Sequence, residues 1–248
     1  MSTLEALAER LDVAQLSRTA IPSLGDGLGI GDAYAVQSAV LARRTARGER
    51  LTGVKLGFTS KAKMAQMGVS EVILGRLTDA MRSDDGADVV LSRFIHPRIE
   101  PEIAFRLSRD IESDDPTDIE SCVDAVAPAL EIIDSRYRDF RFTHVDVVAD
   151  NTSAAGYVIG AWHPVQDLTN RAVRLLSGRT ELVGSTAAIL GAPVRALHAL
   201  RGVCRDHRIP LRAGQIVLAG AVTAAVPFTR GVTTCDVAGL GMVTVRGV

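Results

Sequence analysis

Arg98-Ile-Glu-Pro-Glu-Ile-Ala-Phe-Arg-Leu107 alternates residue by residue. Ile99, Pro101, Ile103, Phe105 and Leu107 point one way, and Glu100, Glu102, Ala104 and Arg106 point the other. That alternation specifies a β-strand with one apolar face and excludes a helix. With a rise of ~3.3 Å per residue, the two carboxylates stand ~6–7 Å apart at Cα on one face. Like charges so placed repel unless a cation lies between them. Pro101 lacks an amide donor, so the strand is expected at an edge or rim. Taken alone, a Glu-x-Glu pair on a strand is more often a solvated face.

On either side of this strand, short β-like runs alternate with Gly, Pro and Asp punctuation. They are LTGVKLGF (51–58), ADVVLS (87–92), PALEIIDS (128–135), GYVIGA (156–161), AVRLLSGRTELV (172–183), GQIVLAG (214–220) and MVTVRGV (242–248). Helices are expected over 2–18, where Ser2 and Glu5 fit a capping box, and over 32–47, capped by Asp32 and ended by Gly48. Two more are expected, from Pro116 through Val126 and over 193–207, with loop over 21–31. Strands outnumber helices without alternating with them regularly. The fold class is therefore α+β with a curved or rolled mixed sheet, rather than a doubly wound parallel one. Residues 1–50 form a helical N-terminal portion and 51–248 a β-rich catalytic domain.

Apolar residues make up 47% of the 248-residue chain, enough for a substantial core. The net charge of -1, with both signs interspersed, offers no basic surface for nucleic acid or an anionic membrane. Cys122, Cys204 and Cys235 are too far apart for a CxxC site and odd in number, which favours a reducing cytoplasm. The N-terminus does not read as a signal peptide, and no apolar run is long enough to span a membrane. The five histidines have no metal-ligand or triad spacing.

Glu131, in Pro128-Ala-Leu-Glu-Ile-Ile-Asp134, stands among apolar neighbours, where an ionised carboxylate needs a partner. With Glu100 and Glu102 it would make a hard oxygen site suited to Mg2+ or Mn2+. A salt bridge from Glu131 to Arg136 or Arg98 is an equally weighted reading. Lys55 lies in a β-like run between Gly53 and Gly57, which would allow close ligand approach. It could bind a carboxylate or act as acid or base, or be an ordinary edge-strand lysine. Thr59-Ser60-Lys61 reads as a strand end and helix cap, 149–153 as a polar turn bonding its own backbone, and Thr223 as a possible hydroxyl donor in a small-residue turn.

Five segments carry a resemblance: VKLGFTSKAKMAQMGV (54–69), HPRIEPEIAF (96–105), PALEIIDSRYRDFRF (128–142), VVADNTSAAGYVIG (147–160) and GAVTAAVPF (220–228). Together and in this order they resemble the hydratase/decarboxylase family of the fumarylacetoacetate hydrolase superfamily. The resemblance implies a mixed β-roll with a helical N-terminal portion and a cytoplasmic lyase. It implies Mg2+ or Mn2+ held by Glu100, Glu102 and Glu131, an active-site Lys55, and substrate contacts from Thr223, Ser60 and, by position, Arg136 on a distal carboxylate. The implied substrate is a small 2-oxo dicarboxylic acid. Homo-oligomers and a complex with a vinylpyruvate hydratase are implied as well.

The family's two branches differ near residue 73. Hydratases carry an acid in a Pro-Asp-x-Gly pattern. Here the stretch is Glu71-Val-Ile-Leu-Gly75, with Ile73 and Leu74 at the acid's place. The segment DSRYRDFRF (134–142) and KMAQMGV (63–69) resemble the decarboxylase form, whereas Pro101 and Gly156-Tyr157 lean towards the hydratase. The expectation is decarboxylation of 2-oxohex-3-enedioate to 2-hydroxypenta-2,4-dienoate and CO2. The alternatives are 2-hydroxypenta-2,4-dienoate hydration, C–C bond hydrolysis as in the wider superfamily, and an inactive structural subunit.

Overall fold

Residues 2–25, 27–60, 64 and 71–248 are described by the structure, a computed structural model. The expected positions 61–63 and 65–70, including most of KMAQMGV, lie outside the described residues. The chain opens with α1 (Thr3–Ser17) and α2 (Ile30–Ala46). Ser2 and Glu5 close the expected capping box on α1. Helix α2 starts earlier than its sequence suggests: Gly29 is its N-cap, and Asp32 sits inside the first turn without capping it. Gly48, at φ +97°, takes the left-handed turn past its end.

The strands are β1 (Leu51–Gly57), β2 (Ile73–Thr78), β3 (Arg82–Ser83), β4 (Asp88–Val89), β5 (Arg98–Leu107), β6 (Val123–Ile133) and β7 (Ala154–Ile159). They continue as β8 (His163–Pro164), β9 (Ala172–Ser177), β10 (Thr180–Ser185), β11 (Ile216–Leu218), β12 (Val226–Pro227), β13 (Gly231–Val237) and β14 (Gly241–Gly247). Among the described residues, two further α-helices are α3 (His144–Ala149) and α4 (Pro193–Asp206). The larger sheet runs β2-β1-β11-β5-β6-β7-β3, with β12 on β5 and β8 on β6; the smaller runs β10-β9-β13-β14-β4. Both are mixed: β1/β11, β3/β7 and β14/β4 are parallel among antiparallel neighbours. No helix among the described residues is long and apolar enough to cross a membrane.

Strand parity divides the interior. Ile99, Ile103 and Phe105 of β5, Val126, Leu130 and Ile132 of β6, and Val54 and Leu56 of β1 enter the main core, with the helices and the smaller sheet. The other face carries Ala104, Ala127, Ala129 and Leu218 in a separate, smaller core. Glu100, Glu102, Glu131 and Lys55 share the parity of this small-residue face.

Several expectations are corrected. The helix expected from Pro116 to Val126 is a 3-10 turn, Ile119–Cys122, after which β6 begins at Val123. Pro128 is incompatible with a continuing helix, and the ladder with β5 claims the segment instead. ADVVLS yields only the two residues of β4. Strands β2, β3, β8 and β13 and helix α3 have no counterpart among the expected elements. Nor is β5 an edge strand. It lies between β6 on one side and β11 and β12 on the other. Those two pair with 104–106 and 98–99, so Pro101 falls between them. Its carbonyl accepts from the Val222 amide at 2.9 Å on that side, so the missing N–H faces the interruption and no ladder bond is lost.

Candidate metal centre

Register brings the carboxylates together. Glu100 is the direct cross-strand partner of Glu131, and Glu102 follows one pleat along β5. An oxygen from each of Glu100, Glu102 and Glu131 lies within 4.8 Å of the others. All three residues are buried, Glu102 and Glu131 completely. The amide of Gly220 donates to Glu102 Oε2 at 2.8 Å, while Glu102 Oε1 and Glu131 Oε1 have no hydrogen-bond partner among the described residues. Gly220 sits at φ +113°, and a Cβ there would overlap Thr59, so only glycine delivers that amide.

Lys55 is no edge-strand lysine. Strand β1 lies between β2 and β11, and the side chain is buried. Its Nζ is 2.9 Å from Glu131 Oε2 and donates to Thr152 O at 3.2 Å. The cation paired with Glu131 is therefore Lys55, neither Arg136 nor Arg98. Both flanking glycines allow close chain packing, since a Cβ on Gly53 would strike Ile216 and one on Gly57 would strike Thr152 and Ile73, and Gly57 also lines the cavity over the site.

Burial drives the Glu102 carboxyl well above the usual carboxylate range, and the charge on Glu131 adds to it. Burial also pushes Glu131 up to about 7, against the pull of the Lys55 ammonium. For Lys55, burial acts downward, but the carboxylates of Glu131, Glu100 and Glu102 outweigh it and hold the ammonium above its ordinary value. With all of these groups ionised, three carboxylates and one ammonium leave a buried charge of two negative units. Buried charge of that kind needs compensation. An all-oxygen set with unpartnered oxygens and that charge fits a hard divalent cation.

A cavity of about 600 Å³ opens over the cluster, lined in part by Lys55, Ser60, Ile73, Arg98, Glu100 and Thr223. Lys55, Glu100, Ser60 and Thr223 thus meet at one place. Arg136 does not line it. Its guanidinium is buried against Asp150 and donates to Asp134 O at 2.6 Å and Ala154 O at 3.4 Å, away from the cavity. Glu71 lines a different cavity, with Tyr34, His144, Asp206 and His207. A histidine–carboxylate pair, His198–Glu120 at 2.7 Å, is exposed and absent from the wall of the metal cavity.

The turn at 149–153 does more than bond its own backbone. Asn151, Thr152 and Ser153 all have positive φ, and Asn151 is clamped to both backbone groups of Arg76. The Thr152 and Ser153 hydroxyls are buried on the cavity wall without a hydrogen-bond partner among the described residues. Strained, unsatisfied groups beside a cavity mark a functional wall. The Asp-Asn-Thr-Ser string was the available signal.

No family model matches the chain. A 4-oxalocrotonate decarboxylase of Pseudomonas sp is 46% identical over 241 residues, covering 95% of this chain and 94% of the relative. A 2-keto-4-pentenoate hydratase of Paraburkholderia xenovorans is 38% identical over 253 residues, covering 96% and 93%. The solved 4-oxalocrotonate decarboxylase from Pseudomonas putida G7, complexed with magnesium and adipate, superposes with a TM-score of 0.92 at 34% identity, covering 99% of this chain and 97% of that one.

Proposed function

The chain belongs to the hydratase/decarboxylase family of the fumarylacetoacetate hydrolase superfamily, and from that premise we propose that it is a lyase releasing CO2 from 2-oxohex-3-enedioate. One observation carries the reading: a buried carboxylate cluster with Lys55 lies under a cavity whose wall is apolar at Ile73. Glu100, Glu102 and Glu131 would hold Mg2+ or Mn2+, which when bound supplies Lewis-acid charge for a 2-oxo oxygen.

The residues account for the rest. In 2-oxohex-3-enedioate the C5–C6 bond breaks and its electron pair becomes the C4–C5 double bond. The former C3–C4 pair moves to C2–C3, and the C2 oxygen takes up the charge and then a proton, giving 2-hydroxypenta-2,4-dienoate. An ammonium has three donors. Lys55 donates to Thr152 O and is ion-paired with Glu131, which leaves a donor for that oxygen or the adjoining carboxylate. Ser60, Thr223, Thr152 and Ser153 offer hydroxyls along the wall.

Hydration of the product would need an acid–base group placed to protonate one carbon and deliver water to another, a contribution of ~10²–10⁴-fold. Ile73 lines the cavity, and Glu71 faces a separate one. Side-by-side kinetics with Mg2+ are expected to favour CO2 release over hydration of 2-hydroxypenta-2,4-dienoate, and faster hydration would reverse the branch. An inactive structural subunit would have no reason to keep this cluster, and would fail to bind Mg2+. Assembly as a homo-oligomer, or with a vinylpyruvate hydratase, is part of the same proposal. Sedimentation as a 26.3 kDa monomer at micromolar concentration would reject the homo-oligomer.

A further inference from the structure

We propose that Arg98 binds the distal carboxylate of the substrate and makes the site select dicarboxylates over monocarboxylates of the same length. The inference rests on the 2-oxo-acid reading of the cavity and assigns the far end of it.

Arg98 shares the face of Glu100 and Glu102, one pleat further along β5, ~6–7 Å from Glu100 at Cα. A six-carbon chain with its 2-oxo end at the carboxylate cluster spans a similar length. Among the described residues, the charged ones on the cavity wall are Lys55, Arg98 and Glu100. Lys55 is ion-paired with Glu131 at the oxo end of the site, so Arg98 is the cation on the described wall that has no carboxylate partner. Its guanidinium has no hydrogen-bond or ion-pair partner among the described residues. Its guanidinium carbon lies 4.6 Å from the centroid of the Phe140 ring, a stack that fixes the plane and leaves its edge donors free for a carboxylate. Phe140 is backed in turn by His96, with ring centroids 4.7 Å apart. His96 is itself held, its amide donating to Asp134 Oδ1 at 2.8 Å and its ring bonded to Ser135 O at 2.7 Å. The stack is thus anchored to the segment that directly follows β6.

The chemistry gives this placement a consequence. The distal carboxylate is the group that leaves. Once C5–C6 breaks, CO2 carries no charge, and the dienoate product keeps nothing for Arg98 to hold. The arginine therefore grips substrate and releases product. Because it stabilises the bound carboxylate and not the neutral CO2, its removal raises KM without lowering kcat.

The test uses two unreactive probes, 2-oxohexanedioate and 2-oxohexanoate, titrated calorimetrically into the Mg2+-loaded protein. The wild type is expected to prefer the dioate by about fivefold or more, the scale of an exposed but stacked arginine–carboxylate pair. Arg98→Met keeps the apolar stem on Phe140 and is expected to abolish the preference with 2-oxohexanoate binding unchanged. Arg98→Lys should recover part of it. On 2-oxohex-3-enedioate the Arg98→Met loss should fall in KM. A preference that survives in Arg98→Met overturns the assignment and leaves the 2-oxo-acid site standing. Failure of both probes to bind the wild type would overturn the site reading and this inference together.

Discussion

Glu102 makes the case for a metal at the smallest scale. It is fully buried, accepts one amide, and has one oxygen with no partner among the described residues. Replacing it with Gln removes a ligand and also a like charge from beside Glu131. Glu102→Gln is expected to lower turnover by about 10²-fold or more and to abolish Mg2+ binding, while the thermal midpoint without metal holds or rises. Unchanged turnover would remove the metal-centre reading. Glu131 gives the pH dependence. Its folded pKa of about 7 stands above the usual ~4.3, so the unfolded chain ionises first and this group withdraws stability from the metal-free protein as pH rises from about 4 to about 7. Mg2+ must displace the same proton. Affinity should therefore fall as pH drops below 7, by about tenfold per unit for each proton displaced, with proton release on binding at pH 6. Calorimetry in buffers of different ionisation enthalpy reads both, and a flat profile between pH 6 and 8 would contradict the burial argument. The carboxylates themselves were legible in the sequence, because parity alone places Glu100 and Glu102 together. Which cation meets Glu131 was not, since Lys55 arrives from β1 through the intervening β11.

The element that fixes Lys55 is the turn between α3 and β7. Asp150 pairs with Arg136, Asn151 pins the turn to β2, and Thr152 then offers its carbonyl to the lysine. Gly75, the cross-strand partner of Lys55 on β2, leaves room for the lysine stem, since a Cβ there would lie 3.0 Å from Lys55 Cδ. Arg136 therefore stabilises this turn from the side away from the cavity rather than contacting a substrate. Breaking a buried ion pair from one side costs about 3–5 kcal/mol. Arg136→Met is expected to lose that much in denaturant unfolding, while the remaining folded protein binds 2-oxohexanedioate as before. A loss of affinity with stability intact would instead return Arg136 to the distal carboxylate. The sequence could show a polar turn here and an arginine nearby. It could not show that the strained turn spends its side chains on β2 and Arg136, because that depends on contacts between segments some 75 residues apart.

Over the whole molecule, the alternation of β5 was readable, and with it that strand's boundaries and the α+β class. What stayed hidden depends on the sheet's curl. A central strand tolerates Pro101 only because its neighbour is interrupted, and β6 replaces a helix because β5 lies ready to pair with it. The small-residue face has the same origin: Ala104, Ala127 and Ala129 line an interior with little room, and the acidic residues stand on that face. Their buried charge is a cost the folded chain bears without a cation and recovers with one. A cation that binds the folded chain and not the unfolded one adds RT ln(1 + [L]/Kd), about 2.7 kcal/mol at a concentration of 100 Kd. For a chain of 248 residues that corresponds to a rise of roughly 5–10 °C in the thermal midpoint. Scanning calorimetry with excess Mg2+ and with chelator should show that difference, and Glu102→Gln should erase it. A wild-type midpoint indifferent to chelator would mean that the carboxylates resolve their repulsion by holding protons, and the site would then lack the cation on which the proposed chemistry depends.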